Sequence, residues 1–108
     1  MAIRSCRDRD TSSFLEGKRV RAFEECNRAA VKALTKLQSA TRLYDLRNPP
    51  SNRFEALGGD RKGEYSIRID AKWRICFRWV TLEPLPQGAD IGAVAGEPYD
   101  VEINNHYR

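Results

Sequence analysis

Residues Glu64 to Trp79 read EYSIRIDAKWRICFRW, and this stretch decides the fold. Tyr65, Ile67 and Ile69 alternate with Ser66 and Arg68. After a break at Asp70-Ala71, the residues Trp73, Ile75, Phe77 and Trp79 alternate with Lys72, Arg74, Cys76 and Arg78. Strict alternation predicts two half-buried antiparallel strands, because successive strand side chains point to opposite faces. The apolar set supplies a core. The other face then carries Arg68, Lys72, Arg74 and Arg78, four cations that repel one another and require solvent or a partner. Such a face is either a solvated exterior or a surface for an anion such as a nucleic-acid backbone, and the pattern leaves both open.

The segments on either side supply a helical layer and further strands. Ala2 to Cys6 reads as a short edge strand. Asp10-Thr11-Ser12 offers helix N-cap residues, and Gly17 ends the Phe14-Leu15 patch. In residues 18–40, Phe23, Cys26, Ala30, Leu34 and Leu37 recur at spacings of three and four, with Val31 and Ala33 widening the stripe. This predicts an amphipathic helix of about five turns on the sheet, its basic side solvated. Thr41 to Leu46 extends as a helical turn, and Arg47-Asn48-Pro49-Pro50 ends it. Phe54, Ala56 and Leu57 mark a short strand before the turn Gly58 to Gly63. The pattern dissolves between Trp79 and Tyr99 and resumes to Ile103, with Val101 and Ile103 facing inward. An α+β fold with the long helix on one sheet face follows.

At 108 residues the chain is expected to form one domain, spanning 1–108. Its 41% hydrophobic and 31% charged residues are ordinary for a globular protein. No run reaches transmembrane length and MAIRSCRDRD has no apolar signal region, so a cytoplasmic location and no membrane partner are expected. A net charge of +4 and a pI near 9.2 mildly favour polyanionic partners. Cys6, Cys26 and Cys76 are widely spaced and odd in number, and the chain has one histidine. No disulfide framework, metal or cofactor is expected, and the thiols should be reduced and largely buried.

The start AIRSCRDRDTSSFLEGKRVRAF, the segment NRFEALGGDRKGEYSIRIDAKWRICFRW and the ending YDVEI together resemble the HigB-type toxins of the RelE/ParE superfamily. These are the killer proteins of plasmid-maintenance (toxin–antitoxin) systems. The resemblance leaves out Thr81 to Pro98, where the family has a tight turn, so 81–98 reads as a long hairpin insertion that a hairpin tip tolerates. It implies a microbial ribonuclease-type fold, with N-terminal helices packed on a small antiparallel sheet. It also implies a ribosome-dependent mRNA endoribonuclease, or mRNA interferase, that enters the ribosomal A site and inhibits translation. The partner it implies is a HigA-type helix-turn-helix antitoxin, through which alone the protein would reach operator DNA.

RNA cleavage by its own 2′-hydroxyl needs a base, an acid for the leaving oxygen, and fixed cations for the phosphorane. The resemblance places Arg74, the arginine of the WRI motif, at the scissile phosphate, where its planar fork suits phosphate better than lysine does. It assigns Arg61, Lys62, Arg68, Lys72 and Arg78 to the RNA backbone. His106 becomes an acid or base and Tyr107 a substrate-orienting group. Without it, His106 is a solvated residue near the chain end, Arg61 and Lys62 are a solvated turn, and Asp60 and Glu64 serve turns or ion pairs. The chain departs from the family at two places. Gly58 stands where several members carry a catalytic lysine, and Asn105, His106 and Tyr107 stand where many members end in Asp-Tyr-His. Two other readings therefore stay open: a ParE-like inhibitor of gyrase without chemistry of its own, and a degenerate homologue that only binds antitoxin.

Overall fold

Four antiparallel strands lie side by side in chain order: β1 (Glu55–Ala56), β2 (Tyr65–Arg68), β3 (Arg74–Thr81) and β4 (Gly96–Asn104). They come from a computed structural model that describes residues 2–105. In the central hairpin Tyr65 pairs with Phe77, Ile67 with Ile75, and Arg68 with Arg74. The break between the strands is an Asx-type turn, in which Asp70 Oδ1 accepts from the amides of Lys72 and Trp73, each at 2.8 Å.

The predicted apolar face is the core. Ile67, Ile75, Phe77, Val101 and Ile103 are buried, and each contributes about 2 kcal/mol relative to exposure. Against this face pack α1 (Arg9–Leu15) and α2 (Asn27–Ser39), through Phe14 from α1 and Ala30, Ala33, Leu34 and Leu37 from α2. Phe14, Phe23 and Trp73 form an edge-to-face line at centroid spacings of 5.5 and 5.6 Å. The architecture is α+β, two helices on a four-stranded antiparallel sheet. Among the described residues no helix is long and apolar enough to cross a membrane.

The helical layer departs from the expected single helix over 18–40. Residues Arg21–Cys26 form a 3-10 helix, and α2 starts only at Asn27. Three residues per turn put Phe23 and Cys26 in one row, which an α-helix would fan apart; both are buried, as is Val20 at the extended N-cap. Val31 does not widen the buried stripe. It lies 100° round the helix from Ala30 and is 51% exposed. Of the expected caps, none bonds to the first turn of α1, which follows Asp8. Thr11 is buried instead, and its Oγ1 accepts from the Ile103 amide at 3.0 Å, tying α1 to β4.

The segment 2–6 makes only one parallel bridge, Cys6 with Val101. Two features of β4 prevent a full ladder. Pro98 has no N–H, although its carbonyl accepts from the Arg4 amide at 2.9 Å. Asp100 has φ +52 in a bulge, where the register steps from Cys76–Glu102 to Arg78–Tyr99. Irregular chain is also shorter than expected, covering 82–95, because β3 runs to Thr81 and β4 starts at Gly96. Gly96 and Pro98 hide the alternation there, yet they pair with Thr81 and Trp79. The end of this loop docks on the 3-10 turn Leu43–Arg47. The Tyr44 hydroxyl donates to the Asp90 carboxylate at 2.6 Å, Arg47 stacks over the Tyr44 ring at 3.5 Å, and a Cβ on Gly92 would strike that ring.

Candidate active site

The polar face of the sheet carries two groups of arginines that differ in how their charge is met. The first is built around Arg74. Ser66, diagonally across on the neighbouring strand β2 and fully buried, accepts from Arg74 Nε at 3.2 Å and from Nη2 at 2.5 Å. Glu55 Oε1 accepts from the same Nη2 at 3.1 Å. With Nε and Nη2 engaged, the two Nη1 hydrogens have no acceptor among the described residues. Arg68 is the direct register partner of Arg74, a like-charge pair that is unfavourable without an anion between.

Arg53, Arg68, Asp70, Ala71 and Arg74 line an open hollow of about 270 Å³. One oxygen of Asp70 is committed to the two turn amides. Among the described residues, neither the Arg53 nor the Arg68 guanidinium has a hydrogen-bond or ion-pair partner. The hollow is therefore an electropositive cradle with one guanidinium held rigidly in its wall. Such a site suits the oxygens of a phosphate, which a guanidinium can engage two at a time.

The second group is neutralised from within. Glu64, its side chain 7% exposed, receives Arg61 at 2.9 Å and Arg7 at 3.3 Å on Oε1, and Arg78 at 3.6 Å on Oε2. Glu102 receives Arg7 at 2.9 Å and Arg61 at 3.5 Å, and the bulged Asp100 lies 4.0 Å from Arg78 Nε. Three arginines thus face three carboxylates over the buried Cys76, whose thiol pKa is pushed up by that burial. Among the described residues no group of three or more His, Cys, Asp or Glu is placed to hold a metal ion.

Residues 7–86 match the family model of HigB-like toxins, described as the RelE-like toxin of the type II toxin–antitoxin system HigB. The chain belongs to this family. It is also 46% identical over 52 residues to Toxin HigB-1 of Vibrio cholerae serotype O1 (strain ATCC 39315 / El Tor Inaba N16961), a match covering 48% of this chain and 55% of that protein. The chain thus matches about half the length of that curated relative. The solved YoeB/ParE toxin from Agrobacterium tumefaciens superposes with a TM-score of 0.51 at 18% identity, covering 99% of this chain and 100% of that one, a likeness of fold.

Within this HigB-like toxin, the residues singled out from sequence do not all converge. Arg74 and Arg68 meet in the hollow, whereas Arg61 and Arg78 belong to the neutralised group. Lys62 is exposed at the end of the 3-10 turn Gly59–Arg61. Lys72 does not share the basic face. It lies in the Asp70 turn, outside the strand that fixed its expected direction, with Nζ 3.2 Å from Glu25 of the helical layer. His106 and Tyr107 lie outside the described residues and beyond the family match. β4 ends at Asn104, the register partner of Arg74. Three residues of the site carried no sequence signal of their role: Arg53, which lines the hollow and follows a Pro-Pro turn, and Ser66 and Glu55, which tether Arg74 from beside it.

Proposed function

We propose that this HigB-like toxin is a ribosome-dependent mRNA endoribonuclease that inhibits translation, with the hollow around Arg74 as its phosphate site. The observation that carries this reading is the Arg68–Arg74 pair, set opposite each other beside an open cavity, with Arg74 tethered by Ser66 and Glu55. In cleavage, the 2′-oxygen attacks the adjacent phosphorus and the bond to the 5′-oxygen breaks. Arg74 meets the charge that develops on the non-bridging oxygens, and its fixed position avoids reorganisation during the step. The Glu55 carboxylate, 57% exposed and adjacent to Arg74, is placed to take the 2′-hydroxyl proton. His106, two residues along the chain from the register partner of Arg74, is assigned the proton for the leaving oxygen, and Tyr107 the orientation of substrate.

In this reading residues 1–108 form one toxin domain working in the cytoplasm. It is held inactive by a HigA-type helix-turn-helix antitoxin and meets operator DNA only through it. Lys62 and Arg68 contact the RNA backbone, with mRNA in the ribosomal A site as substrate. Induction of the chain alone in a bacterial host, with mapping of mRNA 5′ ends, tests the proposal. Growth arrest with new ends inside translated codons is the expected result. Arrest with intact mRNA would overturn it in favour of a protein target such as gyrase.

A further inference from the structure

Arg53 stands out in the loop between the 3-10 turn Pro50–Asn52 and β1. Its backbone sits at φ +48, ψ +48, a left-handed conformation that side-chain-bearing residues other than Asn and Asp rarely hold. The residue before it explains how this is maintained. Asn52 is 2% exposed, its Nδ2 donates to the Leu46 and Asn48 carbonyls at 3.1 Å each, and its Oδ1 accepts from Lys36 Nζ at 2.8 Å. Asn52 thus locks the turn to α2 and to the 43–47 turn from inside. The Arg53 amide completes the turn by donating to the Pro50 carbonyl at 3.0 Å. Residue 53 points into the hollow opposite Arg68 and Arg74, exposed and without a guanidinium partner among the described residues. Glycine would satisfy this backbone without strain, yet the position holds an arginine.

We infer that Arg53 is an RNA-contacting residue of the same hollow, taking a backbone phosphate next to the one held by Arg74, with Asn52 as its positioning residue. The inference rests on the ribonuclease reading above and adds a substrate contact to it. Arg74 is tethered on two of its three nitrogens and serves one phosphate. An arginine entering from the opposite rim, from a different element, is suited to the next phosphate along the strand. Arg53 therefore acts on binding and not on the chemical step.

The test is titration of the purified full chain with a single-stranded RNA oligonucleotide across a salt series, with thermal unfolding of each variant. Arg53→Gly removes the guanidinium while relaxing the backbone. The expected result is an unchanged or raised melting temperature, with RNA affinity at least tenfold weaker and a salt slope shallower by about 0.7, the release expected for one single-strand phosphate contact. Arg53→Lys should recover most of the slope but only part of the affinity, because charge returns without the fork. An Arg53→Gly protein with wild-type affinity and slope would overturn the inference and leave the ribonuclease reading standing. A wild-type chain that binds no RNA would also overturn the inference, because an open phosphate cradle must hold free RNA. The ribosome-dependent reading falls only if induction leaves the mRNA intact, so the two failures stay distinct.

Discussion

The two arginine groups on one sheet face differ in almost every respect except residue type. Arg7, Arg61 and Arg78 surround a buried carboxylate and are matched by Glu64, Glu102 and Asp100. Arg53, Arg68 and Arg74 surround open space, with one of the three tethered. A matched network stabilises a fold and has little charge left for a ligand. An unmatched cluster lowers stability through like-charge repulsion and gains it back when an anion arrives. Counting arginines on a face therefore overstates an RNA-binding surface, and the carboxylates beneath decide which arginines are available.

Single substitutions break or sharpen this contrast. The largest effect falls on Arg74→Ala, expected to lower RNA cleavage by about 10²- to 10³-fold while the circular dichroism spectrum is retained. Full toxicity in a folded variant would remove Arg74 from the mechanism. Glu64→Gln strikes the other group, leaving three guanidinium groups around a neutral amide. It should cost about 3 kcal/mol of stability, read from the shift of a urea unfolding midpoint. Arg78→Ala separates the two groups in binding assays. RNA affinity should fall by less than about threefold, against about tenfold for Arg68→Ala, whose charge is not already engaged. An Arg78→Ala loss equal to that of Arg68→Ala would show that the network opens for RNA.

The smallest effect is a gain. Gly58 is exposed, and a Cβ there would meet nothing within 4 Å. Its φ of −120 is open to any residue. Gly58→Lys, which adds a cation to this turn, should fold as the natural chain does. It should also tighten RNA binding a few-fold by adding one phosphate contact. An unchanged affinity would show that position 58 lies off the RNA path in this chain.

Much of this was legible in the alternation of residues 64–79. It separated Ile67, Ile75 and Phe77 from Arg68, Arg74 and Arg78 correctly, because strand geometry alone sets those directions. It failed for Lys72, which sits in a turn where Asp70 dictates the backbone and no strand direction applies. The pairing of Arg7 with Glu102 joins the two ends of the chain and is invisible to any local pattern. Arg53 was missed because its importance lies in a backbone conformation set by Asn52, whose own bonds reach α2 and the 43–47 turn. Phe23 and Cys26 were spaced by three, the 3-10 period, but that spacing also occurs within an α-helical stripe.

The docking of Tyr44 against Gly92 and Asp90 divides the β3–β4 connection into an anchored half and an exposed half. Residues 90–96 are set by ring contacts that tolerate no added atom at Gly92 or Gly96. Leu85, Pro86, Gln87 and Gly88 are exposed. A protein engineer seeking a place to splice an affinity tag or a fluorescent reporter into this toxin would choose the Gln87–Gly88 junction, since added chain there leaves both the Tyr44 anchor and the sheet beyond it undisturbed.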